Sequence, residues 1–507
     1  MKLKKYALIS VSDKNRIEVL ADFLSENGYT ILATGKTYSL LQTNNIPVTE
    51  VSGFTGFPEI FGGRVKTLNP LVMGSILFRR FHHEDPAEAE KQNMVDLDVV
   101  CVNLYSFQKV AANPDSTTDE LIENIDIGGP SLIRAAAKNH HSVSVLTSPD
   151  QYDDFISRFM DKRVDTVYRQ ELAVRAFEMT ANYDVAISNT LAGKLRVEKS
   201  YISYSSPIVS RLRYGENPHQ NAYLSGDFYK YFEKIHGKEL SFNNILDINA
   251  AFEICREFER PSAVIIKHNN PSGAAVSDSL KAAYLGALAC DPVAAFGGIV
   301  AFNAEVNDEL AVVLNEIFLE VILAPSFSEK ALEILKKKKD RRLLIINNMD
   351  YKTESNIRSI PGGFLTQDED SIEDDFVNLK VVTSKAPSTD EENDLKFAWA
   401  IARYAKSNSI VFVKEGRTIG IGAGQVSRVD AVKVAVMKAK QLGLSLEGSV
   451  VASDAFFPFS DGLVECVNAG AAAFIQPGGS VRDDEVIRTA NELKVSMVFT
   501  GKRHFKH

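Results

Sequence analysis

Cysteine is scarce in this chain: Cys101, Cys255, Cys290 and Cys466 make up the whole set, and no two have the close spacing of a metal knuckle or redox pair. That excludes a sequence-encoded zinc cluster and gives no sign of a disulfide framework. A surplus of positive charge is also missing. The formal net charge is −9, whereas a nucleic-acid binder needs a broad basic face to neutralise phosphates. No apolar run is long enough to span a bilayer, and the run after Lys2, Lys4 and Lys5 stops at Asp13-Lys14, too short for a signal peptide. The expected setting is a reducing cytoplasm, with no membrane and no nucleic-acid partner. Two nucleotide signatures fail as well. Thr34-Gly35-Lys36-Thr37 looks like the end of a P-loop, but the required upstream glycine falls at Thr30, which removes the main support for ATP chemistry. Gly420-Ile421-Gly422-Ala423-Gly424 lacks the third glycine spacing and the acidic residue of a dinucleotide site.

What is present reads as a globular α/β protein. The 507 residues are 45% apolar and 24% charged, too long a chain for one core. In the first part, strand-like Ala7-Leu8-Ile9-Ser10-Val11 precedes Ile17, Leu20 and Leu24 at helical spacing up to Gly28. Strand-like runs return at residues 30–33, 98–102 and 143–146, a pattern of βαβ units and an open, mostly parallel sheet. The periodicity breaks near 196–210, and the acidic stretch 368–375 reads as a solvated connection. The expected segments are therefore 1–198, 206–365 and 376–507, with no sequence repeat evident between the last two. Lys336-Lys337-Lys338-Lys339 reads as a solvated helix end.

Several groups of residues carry chemistry. Lys267-His268-Asn269-Asn270-Pro271 follows the apolar run Ala263-Val264-Ile265-Ile266, so a buried strand is expected to leave the sheet there and present a Lys and a His at its edge. Substrates bind at such edges, the His can act as a base near neutral pH, and the ammonium can face a developing oxyanion. A surface Lys-His pair in an ordinary turn would give the same five residues. Gly62-Gly63-Arg64-Val65-Lys66-Thr67 sets two cations and a hydroxyl behind glycines, which lets backbone N–H groups approach an anion. Asp126-Ile127-Gly128-Gly129-Pro130 opens a helix in which Ser131, Arg134 and Lys138 share one face. Arg211-Leu212-Arg213-Tyr214-Gly215-Glu216-Asn217-Pro218-His219 could clamp a phosphate, and Ser453-Asp454-Ala455-Phe456-Phe457-Pro458-Phe459-Ser460-Asp461 sets aromatics among carboxylates, which suits a fused-ring ligand.

Taken together and in this order, these blocks resemble the bifunctional purine biosynthesis family, which joins an IMP cyclohydrolase to an AICAR (aminoimidazole carboxamide ribonucleotide) formyltransferase. The most specific matches are Lys267-His268-x-x-Pro271, Leu212-Arg213-Tyr214-Gly215-x-Asn217-Pro218-His219-Gln220, Gly422-Ala423-Gly424-Gln425-x-Ser427-Arg428 and Asp454-Ala455-Phe456-Phe457-Pro458-Phe459. The resemblance runs nearly end to end. It implies a methylglyoxal-synthase-like open parallel sheet in the first domain, followed by a transferase part of two cytidine-deaminase-like α/β subdomains. It also implies 10-formyltetrahydrofolate as co-substrate, no catalytic metal, and a homodimer whose transferase sites lie at the subunit interface. By motif match Lys267 and His268 are the transferase pair. Arg213, Tyr214, Gly297, Glu320, Asn408, Arg428, Phe456 and Arg503 match nucleotide contacts, and Asp461, Gln476 and Pro477 fall where folate is held. In the cyclohydrolase, Lys138 matches the catalytic lysine, while Lys66, Tyr105 and Asp126 match residues of the chemistry. Ser12, Asp13, Lys14, Thr34, Gly35, Lys36, Thr37, Arg64, Val65, Thr67, Asn103 and Ile127 match the nucleotide site.

The chain departs from the family pattern in its first domain. Asn69 and Met73 stand where histidines are usual, Lys36 replaces a glycine, and Ser106 replaces the proline after Tyr105. These changes leave open a transferase with a decayed cyclohydrolase, or a nucleotide sensor that has lost turnover. The second is disfavoured because Lys66, Lys138, Lys267 and His268 are all kept, and a sensor needs no base. A zinc nucleoside deaminase is excluded by the missing His-x-Glu and Pro-Cys-x-x-Cys groups.

Overall fold

The computed structural model describes residues 5–351, 355–372, 375–377 and 379–507, in two units, 1–206 and 207–507. Lys2 and Lys4 of the basic N-terminus, and Glu373 and Asp374 of the acidic stretch, lie outside the described residues.

In the first unit five strands form one all-parallel sheet: β1 (Lys5–Ser10), β2 (Tyr29–Ala33), β3 (Val48–Glu50), β4 (Leu97–Val102) and β5 (Ser144–Leu146). Their spatial order is β3-β2-β1-β4-β5. Helices on both faces explain why the strands read as continuous apolar runs. Ala7, Leu8, Ile9, Val100 and Cys101 are buried, and each large apolar side chain so buried contributes about 1.5–3 kcal/mol. The helix Ile17–Glu26 turns Ile17, Leu20, Ala21 and Leu24 inward, which is the 3–4 spacing expected. The chain moves outward from β1 through β2 to β3 and then returns to the other side of β1 at β4. The loops after β1 and β4 therefore open a crevice at the switch point, the usual ligand position in such sheets.

The second unit is built on a single mixed sheet of twelve strands. At its centre lie two hairpins, Ser262–Lys267 with Asn270–Val276 and Ile410–Lys414 with Arg417–Gly422, which meet at Ala275 and Arg417. Beyond the first hairpin lie the parallel strands Ile299–Phe302, Val321–Ala324 and Arg342–Ile346, then the antiparallel strand Phe232–His236. Beyond the second lie Ser449–Ser453, Ala471–Gln476 and Ser496–Phe499, then the antiparallel pair partner Lys380–Val381. Each half follows the same order: strand, helix, hairpin, helix, then three parallel strands separated by helices. No repeat is evident in the sequence, because the halves share topology while residue identity recurs at only a few scattered positions.

Two sequence expectations are corrected here. The strand ending at Lys267 does not leave the sheet. It folds straight back through His268 and Asn269, with φ of +52° and +60°, and Pro271 already belongs to the return strand. Two successive left-handed residues make a tight hairpin turn matched to the twist of the strands. The acidic stretch 368–375 is not simply a solvated connection either. Ile372 and Asp375 are buried, and Asp375 accepts hydrogen bonds from the Trp399 indole at 2.8 Å and from His504 at 2.6 Å. A buried indole N–H and a buried imidazole both need acceptors, and this segment supplies them.

Candidate functional site

In the first unit the crevice between β1 and β4 is organised by Asn103. Its Oδ1 accepts the backbone N–H of Ser12 at 2.6 Å and of Asp13 at 2.9 Å, while its Nδ2 donates to the Asp13 carbonyl at 2.9 Å. One carboxamide thus ties the β1 loop to the end of β4. On the other side Thr34 and Ser10 share a hydroxyl contact at 2.8 Å, and Thr37 Oγ1 donates to the Val11 carbonyl at 3.1 Å. This seats the start of the helix Gly35–Thr43, with Gly35 and Lys36, beside the β1 loop. Lys14 Nζ donates to the carbonyls of Val11 and Ser12 at 3.1 and 3.2 Å. Burial holds its ammonium below the ordinary lysine range, and the neighbouring charges of Lys36 and Lys66 act the same way against the opposing pull of Asp13. Three lysines converging on one crevice suit a phosphate.

The loop carrying Arg64, Val65, Lys66 and Thr67 closes on itself through Ile60 and Val65, and Lys66 lines a crevice with Thr34, Gly35 and Glu59. Arg64 pairs with Glu123 at the surface. Thr67 is buried against the first turn of the helix Gly128–Lys138. A Cβ on Gly128 would lie 2.9 Å from the Thr67 hydroxyl, so a side chain at this position would press against Thr67. Asp126 accepts the backbone N–H of Gly129 at 2.8 Å, with further bonds from the N–H groups of Tyr105 and Gly128. Burial raises its carboxyl above the usual range, and those bonds together with Lys66 oppose the rise. Tyr105 and Ile127 stand exposed at this edge.

Lys138 is not part of this group. It is exposed at the far end of its helix, ten residues beyond Gly128 and so about 15 Å along the axis. Residues missed from sequence line the β5 side: Thr147, Ser148, Asp150, Arg175, Asn182 and Tyr183 border a cleft of about 690 Å³ shared with Asp13, Asn103 and Tyr105. The polar run directly after the β5 strand was the available signal for Thr147, Ser148 and Asp150, whereas Arg175, Asn182 and Tyr183 lie on the helix Thr166–Leu195. Of the departures, Asn69 caps the helix Pro70–Leu77, accepting the Leu71 N–H at 2.8 Å, and Met73 packs against the core.

In the second unit Lys267 is half-buried and His268 exposed. Lys267 Nζ donates to the carbonyls of Phe296 and Gly297 at 3.1 and 3.0 Å, which Gly297 makes possible with φ +66°. An ammonium has three donors, so one remains for a ligand. The turn itself is clasped by Asp247, a residue missed from sequence, whose Oδ1 accepts the Asn269 N–H at 2.7 Å and which also bonds the His268 N–H. Burial raises the Asp247 carboxyl, against these bonds and the charges of His268 and Lys267.

Asp247 belongs to the helix Phe242–Cys255, whose first turns gather further pieces. Asn243 Nδ2 donates to the Glu216 carbonyl at 3.3 Å, in the loop of Arg213 and Tyr214, and Asn244 Nδ2 donates to Glu320 at 3.1 Å. Glu320 also accepts from Arg342 at 3.0 Å. The Arg213 guanidinium lies over the Tyr214 ring at 5.5 Å. The polar residues Asn243, Asn244 and Asp247, set beside the apolar Ile245, Leu246 and Ile248, were the signal for these residues.

The second half joins through Asn270, whose Oδ1 accepts the Lys406 N–H at 2.9 Å. Nearby, Arg428 donates to Asn408 at 3.0 Å, to Ser453 at 2.7 Å and to Asp454 at 2.5 Å. Phe456 is half-buried in the next turn. Arg503 is exposed, with its guanidinium 4.7 Å above the Phe505 ring. Asp461 is exposed, but Gln476 and Pro477 are buried. The Gln476 carboxamide is already engaged, accepting the Phe457 N–H at 2.8 Å and donating to Met497 Sδ at 3.2 Å. Its side chain therefore holds the aromatic turn in place.

Comparison with known proteins is consistent along the whole chain. The family model described as AICARFT/IMPCHase bienzyme matches residues 136–438, and that of the MGS-like domain matches residues 16–131. The chain is 47% identical over 514 residues to the bifunctional purine biosynthesis protein PurH of Persephonella marina, covering 99% of each. The protein of the same name from Thermoanaerobacter sp. is 47% identical over 514 residues, covering 100% of each, and that from Chlorobium phaeobacteroides is 46% identical over 519 residues, covering 99% of each.

Proposed function

The chain belongs to the AICARFT/IMPCHase bienzyme family, and on that premise we propose how its residues divide the two reactions. The protein is an enzyme of purine biosynthesis with AICAR formyltransferase and IMP cyclohydrolase activities, the first using a folate-type formyl donor. We assign that donor as 10-formyltetrahydrofolate, transfer to the second unit, and cyclisation to the first.

The observation that carries the transfer assignment is the Lys267–His268 turn. The AICAR amino group shares its lone pair with a carboxamide-bearing imidazole and is a poor nucleophile. His268, exposed on the turn, takes its proton as the nitrogen attacks the formyl carbon. Lys267, fixed by two carbonyls, directs its remaining N–H to the oxyanion or to the departing folate nitrogen. Arg213, Tyr214, Gly297, Glu320, Asn408, Arg428, Phe456 and Arg503 hold the nucleotide. Asp461 and Pro477 contact the folate, with Gln476 acting through the Phe457 turn.

In the cyclohydrolase the carboxamide nitrogen of formyl-AICAR attacks the formyl carbon and water leaves. Lys14, Lys36, Arg64 and the N–H groups near Thr34 and Thr37 take the phosphate. Ser12, Asp13, Asn103, Val65, Thr67 and Ile127 frame the rest, and Lys66, Tyr105 and Asp126 assist the proton transfers. Lys138 stands away from these groups in its own unit, which supports a homodimer in which a second copy delivers it. Formyl transfer is reversible, so cyclisation on the same chain draws it forward.

We keep 1–198, 206–365 and 376–507 as the functional segments and the cytoplasm as the setting. Among the described residues no helix is long and apolar enough to cross a membrane. The test is incubation with AICAR and 10-formyltetrahydrofolate while IMP is followed. His268→Ala should abolish transfer and leave cyclisation of supplied formyl-AICAR intact. Loss of both activities in a folded variant refutes the two-site assignment.

A further inference from the structure

The C-terminal residues re-enter the second unit, and one side chain anchors them. His504 is 2% exposed, and its Nδ1 lies 2.7 Å from Asp370 Oδ2 while its Nε2 lies 2.6 Å from Asp375 Oδ2. Ionised carboxylates only accept, so two such bonds require both ring nitrogens to carry protons. The ring is then an imidazolium between two carboxylates. Asp375 also takes the Trp399 indole N–H, and Lys502 Nζ lies 3.5 Å from its other oxygen. The buried Arg403 places its Nε 3.8 Å from the same Asp370 oxygen. Lys506 faces Asp370, Glu369 and Glu253 and lies over the Tyr404 ring at 4.7 Å, and Arg403 and Tyr404 both bond Glu257. Burial alone would lower the imidazole's proton affinity. The bonds and charges of Asp370 and then Asp375 outweigh it, so the group titrates above its ordinary value of 6.5.

This anchor connects by short steps to the proposed nucleotide contacts. The His504 N–H donates to the Asp454 carbonyl at 2.9 Å. Lys506 forms a two-bond clip with Ser407, its carbonyl accepting the Ser407 N–H at 2.8 Å and its N–H donating to Ser407 Oγ at 3.0 Å. Ser407 Oγ in turn donates to Asp454 at 2.5 Å, the same carboxylate that holds Arg428, which reaches Asn408. Arg503 is the residue directly before the anchor.

We infer that His504 is a positioning residue for formyl transfer: by bridging Asp370 and Asp375 it seats the C-terminal tail against Ser407 and Asp454, and so fixes Arg503, Asn408 and Arg428 around the nucleotide. The inference rests on the proposed nucleotide assignment. Its pH behaviour follows from the sign of the shift. A histidine raised in the folded state supplies its stabilisation fully below 6.5 and loses it as pH climbs through the raised value. AICAR affinity should therefore weaken on the alkaline side, while cyclisation in the first unit should not follow the same curve.

The experiment is formyl-transfer kinetics of the full-length chain from about pH 6 to about pH 9, running upward from the ordinary histidine value of about 6.5, with cyclisation of supplied formyl-AICAR measured in each preparation. His504→Gln should raise KM for AICAR about tenfold at the acid end, with a smaller change in kcat, the scale of a small misplacement of binding groups. Wild type should approach the variant's KM as pH rises, and the variant's profile should be flat. Wild-type KM and pH profile in His504→Gln, with AICAR binding lost in Arg503→Ala, overturns the inference. An unchanged KM in Arg503→Ala overturns the nucleotide assignment instead. Where His504→Gln cyclises but its second unit fails to fold, Asp370→Asn decides, since Asp370 is half-exposed and the Asp375 bond survives. An alkaline KM rise that begins at lower pH than in wild type supports the anchor, and an unshifted profile overturns it.

Discussion

Asp247→Ala is the sharpest test of how the proposed transfer site is held, because it leaves Lys267 and His268 in place. His268 and Asn269 occupy left-handed backbone conformations that cost non-glycine residues about 1–2 kcal/mol each. Asp247 offsets this with charge-assisted bonds worth about 1.5–3 kcal/mol each. Losing about 2–3 kcal/mol of that restraint should lower kcat/KM for formyl transfer about 30- to 150-fold. Asp247→Asn, which keeps an uncharged acceptor, should cost about tenfold. The repeated topology supplies a control. In the second half the hairpin turn Glu415-Gly416, with φ of +54° and +69°, is clasped by Asp394, which accepts both N–H groups at 2.8 and 2.7 Å. Asp394 sits five residues past the start of its helix, as Asp247 does in its own. Asp394→Ala should therefore lower the thermal midpoint while leaving formyl transfer within about twofold. Initial rates of transfer, cyclisation of supplied formyl-AICAR and a melting curve for each variant provide the comparison. Wild-type kcat/KM in Asp247→Ala, or equal inactivation by Asp394→Ala, would show that the clasp supports only the fold.

Lys138→Ala should nearly abolish cyclisation and leave transfer intact; mixing it with Asp126→Ala subunits should restore activity if a second copy delivers the lysine, and unrestored mixtures count against that arrangement. Arg341 is fully buried and donates to the carbonyls of Leu314, Ile317 and Leu319 and to Asn315, so Arg341→Met should cost about 3 kcal/mol by orphaning them, read as a lower urea midpoint for the second unit; an unchanged midpoint refutes it. Asn69→His should remove a helix cap worth about 1 kcal/mol. It should nevertheless change cyclisation by less than about tenfold, roughly 1.4 kcal/mol, and a much larger gain would mean the domain had drifted towards binding without turnover.

Strand positions in the first unit were legible because buried parallel strands are apolar on both faces, as in Ala7-Leu8-Ile9 and Val99-Val100-Cys101. Polar residues at strand ends were legible for the same reason: Ser12, Thr34 and Asn103 interrupt apolar runs. The hairpin at His268 was not. Non-glycine residues rarely adopt positive φ, and the cause of this turn, Asp247, lies 22 residues away from Asn269. The role of the acidic stretch was hidden likewise, since Asp375 looks like its solvated neighbours until His504, 129 residues on, is folded against it. Motif matching reached Gln476, but only the fold shows its carboxamide committed to Phe457 and Met497.

The two central hairpins separate what belongs to the fold from what is particular to the proposed transfer site. Lys267 ends one strand with its ammonium on the carbonyls of Phe296 and Gly297, and Lys414 ends the corresponding strand with its ammonium on the Glu447 carbonyl at 2.7 Å, beside Gly448. Gly297 and Gly448 have φ of +66° and +69°. Lysine, glycine and clasping aspartate thus recur in both halves, and the turn residue differs: His268 in one, Glu415 in the other. The ordering cost of the corner is met during folding in either half, so neither needs a substrate to assemble it. Imidazole is the side chain chemically suited to general-base work, so on the proposed assignment a corner that the topology builds twice serves as a base in only one half.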